Sequence, residues 1–464
     1  MTDTTRSLNA DDAAQLAGWG FNVVRLGVLW QAVAPSGPEP SSFNYSYLAE
    51  VKLTIETLAA RGIYTIVDMH QDVLGDRFCG EGLPSWTVAR ALAIAANKGF
   101  NVSDGHRFPA PQKWDMGIDP ATGLPSAAKC AEHPFANYYS TDEAAAALKA
   151  LFSSPELSAA FAAHWGAVAA ALGGSSAVFG YELLNEPFNA SPFASDAKEL
   201  LPLYQALTAA IRVHDNASIV LYEPHVLRSS LGFATDFPAG GVEGSAHDNR
   251  QALAYHVYCF NTTAVIALPI CKLVIDDAWE ANKRGRKRVK GGGFLTEFGA
   301  VGDDQVSLDL LEYVLSEADV QLQSWAYWTY KSFDDITTAN GHSETFFNFD
   351  PTSPAGRTVQ TEKVRKLTRP CVALQLFSPP PSRSVFHTFY TFNSLINPSL
   401  SLSLSLSLSL SLAFFFKQVR SNYRWDTNLS KLCLQDERVH AQVYRDAVAE
   451  RTPYQFDDPR LCAP

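Results

Sequence analysis

Short runs of branched and aromatic residues recur through the first 330 positions, each bounded by turn residues, and between most of them apolar positions fall at helical spacing. Asn9 with Asp12 reads as a capping pair for a helix through Gly18, followed by the strand Phe21-Asn22-Val23-Val24-Arg25-Leu26-Gly27-Val28. Helical periodicity from Tyr45 to Arg61 stops at Gly62 and hands over to Ile63-Tyr64-Thr65-Ile66-Val67-Asp68-Met69-His70. Further strands are expected at 178–184, 218–222, 252–258, 293–297 and 323–329. Strands alternating with helices over more than 300 residues pair in parallel, and this many favour closure into an α/β barrel of the TIM (β/α)8 type. The count reaches seven, not eight, and only about eight residues precede the first helix. The expected barrel therefore lacks its first strand, either because the protein starts upstream of Met1 or because an open seam leaves ladder groups unpaired. A missing upstream piece would also have carried any signal peptide.

From Gln71 to about Ser140 a stretch rich in Gly, Pro, Trp and Phe interrupts the alternation, without evident helical periodicity. It follows the C-terminal end of a strand, so it is expected to be a long functional loop on the barrel rim. Lys283 to Lys290 holds six basic residues in eight and reads as the solvated end of a helix rather than a polyanion site. Past Pro370 the character changes: Lys363 to Trp425 contains no Asp or Glu, and Ser399 to Leu412 alternates Ser and Leu without exception. The expected organisation is a barrel over 1–370, a low-complexity segment over 371–425 that is disordered or translated non-coding sequence, and a short tail over 426–464.

With 47% hydrophobic and 18% charged residues in 464, the chain can bury a large core. A net charge of -11 argues against nucleic acid as a partner, and no stretch of eighteen apolar residues suggests a membrane span. Met1-Thr2-Asp3-Thr4-Thr5 has neither the basic start nor the apolar run of a signal peptide. Sequons at Asn44, Asn101, Asn189, Asn216, Asn261 and Asn428, with seven cysteines, nevertheless point to a secreted or endomembrane-lumen origin for the full-length protein. Cys259 with Cys271 and Cys79 with Cys130 are candidate disulfides, free buried thiols being the other reading. Oligomeric state is not encoded in any of these features.

The chemistry concentrates where two apolar runs end in a carboxylate: Val178-Phe179-Gly180-Tyr181-Glu182-Leu183-Leu184-Asn185-Glu186-Pro187 and Gly292-Gly293-Phe294-Leu295-Thr296-Glu297-Phe298-Gly299. Two carboxylates on one rim of a parallel barrel suggest glycoside hydrolysis, one protonated for the leaving oxygen and one ionised to attack the anomeric carbon. Asp68 and His70, two apart on one strand, point to the same side, as do His256 and Tyr258. No His, Cys or carboxylate cluster has metal-ligand spacing, so neither metal nor cofactor is expected. Gly291-Gly292-Gly293 lacks the lysine and helix of a phosphate loop and reads as relief of crowding where a strand begins.

In this order, Gly20-Phe21-Asn22-Val23-Val24-Arg25-Leu26, Asp68-Met69-His70-Gln71-Asp72, Asn185-Glu186-Pro187, His256-Val257-Tyr258, Thr296-Glu297-Phe298-Gly299 and Trp325-Ala326-Tyr327-Trp328-Thr329-Tyr330-Lys331 resemble glycoside hydrolase family 5, in its endoglycoceramidase-like branch. The resemblance covers about residues 11 to 370. It implies a retaining β-glycosidase acting on glycosphingolipids at a membrane or micelle surface, with Glu186 as acid/base and Glu297 as nucleophile. It also implies that Arg25 and Tyr258 serve the nucleophile, Asn185 the sugar 2-hydroxyl, Asp68, His70 and His256 substrate contacts, and Trp328 the platform under the sugar. Members of that branch carry a β-sandwich after the barrel, in whose place this chain has an irregular extension. Removal of a single glucose from glucosylceramide or a sterol glucoside is the alternative activity. A barrel that binds glycolipid without turnover is the alternative of a different class.

Overall fold

The computed structural model describes residues 7–99, 114–189, 191, 193–259, 267–332, 341–353 and 356–368. The expected segments 371–425 and 426–464, with the Ser-Leu alternation, lie outside the described residues, as do Asn101, Asn261 and Asn428.

Seven parallel strands lie side by side in chain order: β1 (Val23–Gly27), β2 (Tyr64–Asp68), β3 (Val178–Glu182), β4 (Ile219–Tyr222), β5 (Gln251–Val257), β6 (Gly292–Gly299) and β7 (Ser324–Trp328). All seven coincide with expected strands, and together they form a nearly closed barrel of the (β/α)8 type. No ladder joins β1 to β7. Side chains close that gap instead. Phe21 meets Trp325 edge to face at 6.3 Å, and Asp12 of the helix Ala10–Gly18 accepts from Tyr330 at 3.0 Å and pairs with Lys331, just beyond β7. Asn9 and Asp12 form the expected capping box.

Strand alternation sorts side chains by destination. Ile66, Leu221, Ala252, Ala254 and Phe294 fill the barrel interior, whereas Tyr255, Leu295 and Phe298 pack outward on the helices Ala267–Val289 and Gln305–Val320. One irregularity matters for the site. Tyr255 pairs with Leu295 but His256 with Glu297, so Thr296 is an extra residue, a β-bulge. Phe298 stays outward-facing, and Thr296 and Glu297 both reach polar partners inside. Gly293, at the start of β6, leaves no room for a Cβ, which would lie 2.2 Å from Arg286 Cδ.

The stretch from Gln71 to Ser140 corrects the expectation of an irregular loop. It contains a 14-residue helix, Ser85–Lys98, with Thr87, Val88, Ala91, Ile94 and Ala95 buried at helical spacing. Alanine at two of those five positions and threonine at a third give too weak a hydropathy contrast to show the period. Ahead of it the chain folds tightly back on β2 through an Asp72–Glu81 bridge, where Gly82 passes so close that a Cβ would lie 2.5 Å from Gln71. Three arginines of the basic run hold neighbouring loops: Arg284 donates to Gly232, Arg286 to Gln321 and Arg288 to Phe237.

Both candidate cysteine pairs are disulfides. Cys79–Cys130 closes a separation of 51 residues and fastens the rim insertion. Replacing both cysteines by alanine is expected to lower unfolding free energy by about 2–4 kcal/mol, because so long a loop strongly restricts the unfolded chain. Urea unfolding measures this; midpoints indistinguishable from the native protein's would show that packing alone holds the insertion.

Candidate active site

Every candidate residue but Arg25, which lies midway along β1, sits near or just past the C-terminal end of a barrel strand. β1 presents Arg25, β2 Asp68 with His70 two residues on, β3 is followed by Asn185 and Glu186, β5 carries His256 with Tyr258 beyond it, β6 carries Glu297, and β7 ends in Trp328. A carboxylate oxygen of Glu186, one of Glu297 and a ring nitrogen of His256 all lie within 4.8 Å of one another.

Arg25 is the hub. With 5% of its side chain exposed, it donates through Nε to Glu182 at 2.5 Å, through Nη1 to Glu297 at 2.8 Å and through Nη2 to Asn185 at 2.7 Å. Asp68 is 3.1 Å from the same Nη2. Glu297 Oε1 takes the Tyr258 hydroxyl at 2.6 Å, so both of its oxygens are held by donors. Donors on both sides fix the orientation of the carboxylate.

Glu186 occupies different surroundings. Burial raises its pKa above the ordinary carboxylic value, more than the His70 and Arg25 cations lower it. Its backbone is left-handed, with φ 41°, a conformation that costs a residue with a Cβ about 1–2 kcal/mol. Neighbours clamp it there: the Glu186 amide donates to Glu223 at 3.2 Å and its carbonyl accepts from Gln71 Nε2 at 3.2 Å. Gln71 Nε2 also donates to the Asn185 carbonyl, while Asn185 Nδ2 donates back to the Gln71 carbonyl, each at 2.9 Å.

Beside them His70 lies between two carboxylates, Nδ1 2.8 Å from Asp68 and Nε2 3.5 Å from Asp72. Burial works against its charge, but the two acids outweigh it and hold His70 well above the usual imidazole range. The ring stacks on Trp328 at 4.9 Å, 4° from parallel. Burial pushes Asp72 up to about 6 despite its His70 partner. His256 is the opposite case: burial pushes it down to about 3, leaving a neutral ring whose Nδ1 is 2.8 Å from Glu186 Oε1.

Four members of this constellation were not among the residues singled out in the sequence: Gln71, Asp72, Glu182 and Glu223. Glu182 is fully buried and pushed up to about 7, first by burial. A strand-period reading finds it, since Gly180 and Glu182 share the inward face of β3, but nothing in the spacing shows that several acids converge on one arginine. The fold also corrects the expectation that no residues have metal-ligand spacing. His70, Asp72 and Glu81 converge closely enough for an ion, as do Glu182, Glu223 and His256, and Glu186, His256 and Glu297. Most of these come from different strands, which local spacing cannot reveal. His225 lies apart: it is buried at the start of the short helix Val226–Ser230, packed on Phe152, with Nε2 3.5 Å from Glu199.

Residues 3–334 match the family model Cellulase (glycosyl hydrolase family 5). An endoglycoceramidase of Cyanea nozakii is 31% identical over 345 residues, 70% of this chain and 61% of that protein. One of Hydra vulgaris is 32% identical over 344 residues, 71% of this chain and 60% of that protein. The chain thus spans about three fifths of the length of these relatives. The solved structure of endo-glycoceramidase II from Rhodococcus sp. superposes with a TM-score of 0.59 at 22% identity, covering 79% of this chain and 76% of that one.

Proposed function

The chain belongs to glycosyl hydrolase family 5, and from that premise we propose that it is a retaining β-glycosidase cleaving between sugar and ceramide in glycosphingolipids. The observation that carries the reading is the approach of Glu186 and Glu297 to within 4.8 Å. Retention by double displacement places the two carboxyl groups about 5–5.5 Å apart, whereas inversion leaves about 6.5–9.5 Å for a water. Glu297 attacks the anomeric carbon while Glu186 passes its proton to the departing ceramide oxygen. Glu186, now ionised, takes a proton from the water that releases the sugar from Glu297.

The remaining residues have roles that follow from their partners. Arg25 and Tyr258 orient and neutralise the nucleophile. Asn185 gives one amide hydrogen to Gln71 and the other to the sugar 2-hydroxyl, a bond that strengthens as the oxocarbenium ion develops. Trp328, backed by the His70 cation, is the platform for the sugar's C–H face, Asp68 and His70 face sugar hydroxyls, and His256, with a carboxyl on either side, holds Glu186. The relatives named endoglycoceramidase, matching over 70% and 71% of this chain, support the glycolipid class. Such a substrate is met at a membrane or micelle surface; among the described residues no helix is long and apolar enough to cross a membrane. The two disulfides support a secreted or lumenal location.

Incubation with ganglioside micelles is the test. Release of the intact oligosaccharide, first seen by NMR as the β-anomer, is the expected result. Release of glucose alone, or of the α-anomer first, overturns it. The pH profile supplies a further check. Because Glu186 must be protonated to assist departure, kcat/KM is expected to fall on the alkaline side as pH rises through its raised pKa, above the ordinary glutamic range of about 4.3. An alkaline limb at or below that value contradicts the assignment.

A further inference from the structure

One buried acid has no part in the steps just given. Glu223 immediately follows β4 and is 1% exposed. One of its oxygens accepts the Glu186 amide at 3.2 Å and lies 3.4 Å from His256 Nε2. On the other side of the same ring, Nδ1 is 2.8 Å from the Glu186 carboxyl. Tyr204 donates to the Glu223 carbonyl at 2.9 Å and holds the residue in place. His256 Nε2 is buried and makes no hydrogen bond, so Glu223 faces an open position. The ring therefore lies between two carboxyl groups, bonded to one and 3.4 Å from the other.

Resting on the glycosidase reading above, we propose that Glu223 is a positioning residue for Glu186: it fixes the acid's backbone through the amide and, across His256, decides which imidazole nitrogen meets the acid's carboxyl. A neutral imidazole has one N–H. When Glu223 is ionised, Nε2–H points to it, and bare Nδ1 accepts only from a protonated Glu186, the form that acts as acid. When Glu223 carries the proton it donates to Nε2, and Nδ1–H donates to an ionised Glu186, the form that acts as base. The two arrangements hold the same protons. Going from the first to the second, the Glu186 O–H breaks as Nδ1–H forms, and Nε2–H breaks as the Glu223 O–H forms.

The charged surroundings keep both arrangements within reach. Facing Glu223 are Glu182 from β3, Arg25 from β1, Glu186 and His256. Burial and Glu182 raise the Glu223 pKa well above the ordinary value, against Arg25, which lowers it. Burial keeps His256 itself from charging.

Glu223→Gln tests the link. Both contacts of Glu223 use one oxygen, so a glutamine that keeps the Glu186 amide also accepts Nε2–H there permanently, which leaves Nδ1 bare and favours a protonated Glu186. The alkaline limb of kcat/KM is expected to move up by about one pH unit. The loss in kcat is expected to be about tenfold greater on 2,4-dinitrophenyl β-lactoside, whose departure needs no proton and whose turnover waits on Glu186 as base, than on glycolipid. A purely structural role lowers the melting temperature and both substrates alike, so an unmoved limb with equal losses overturns the proposal. Should this variant fail to fold, His256→Gln breaks the link from its other end, and an unmoved limb there overturns it equally. A native protein that cannot turn over the dinitrophenyl lactoside refutes the glycosidase reading and takes this proposal with it; normal native turnover with unmoved variants refutes this proposal alone.

Discussion

Glu297→Gln is expected to stop turnover of glycolipid and activated aryl β-glycosides alike, with kcat reduced on the order of 10⁴-fold or more. Glu186→Gln is expected to lose about 10²–10⁴-fold on glycolipid, the usual span for removing a general acid. Two environments produce the different outcomes. Glu297 has a donor on each oxygen, Arg25 at 2.8 Å and Tyr258 at 2.6 Å, so an amide there removes the attacking lone pairs and turns an N–H toward a donor. Glu186 is partly buried and lacks such a pair of donors, and its pKa is raised. A dinitrophenyl glycoside needs no acid, so Glu186→Gln should still form the glycosyl-enzyme and stall at hydrolysis. Azide should then release it as the β-azide, attacking from the face the aglycone left. In a Glu297 variant azide can only displace the aglycone directly, giving the α-azide. A β-azide from Glu297→Gln, or an α-azide from Glu186→Gln, exchanges the two roles; native rates in either variant remove the mechanism.

How far this site can be read from sequence depends on the range of the interaction. Strand ends are local: Val23-Val24, Ile66-Val67 and Ala252 to Tyr255 are apolar runs, and period-two alternation from Val23, Ile66 and Ala254 carries Arg25, Asp68 and His256 inward. The capping box at Asn9 is local too. The same alternation misplaces Glu297, because Thr296 is a bulge that pairing with β5 creates and no residue in β6 announces. Glu182 stayed unnoticed for a related reason. Its importance comes from Arg25, 157 residues earlier, and no local pattern shows that this arginine also serves Glu297 and Asp68. Glu223 acquires its place only through the left-handed turn at Glu186.

Arg25→Met is the variant with the largest expected effect on the fold, a loss of about 3–5 kcal/mol, the usual consequence of removing one partner from buried charge pairs. Methionine matches the stem but leaves Glu182, 0% exposed, without its cation, and Asp68, 1% exposed, with His70 alone. The deficit has a sign in pH. With the guanidinium gone Glu182 resists ionisation further, so the folded state holds a proton that the unfolded chain releases between its ordinary carboxylic pKa and the raised folded value. Stability of the variant therefore falls as pH rises through that window, and the gap to the native protein is smaller at pH 5 than at pH 8. Native Glu182, already pushed up to about 7, follows the same direction more weakly. Adding Glu182→Leu to Arg25→Met removes one stranded acid and should recover part of the stability. It should recover none of the activity, since Glu297 still lacks the donor 2.8 Å away. Urea unfolding at the two pH values, with activity on a dinitrophenyl glycoside, separates these effects. A pH-independent deficit, or activity returning with stability in the double variant, would mean that Arg25 acts by packing and not by holding the charges of the site together.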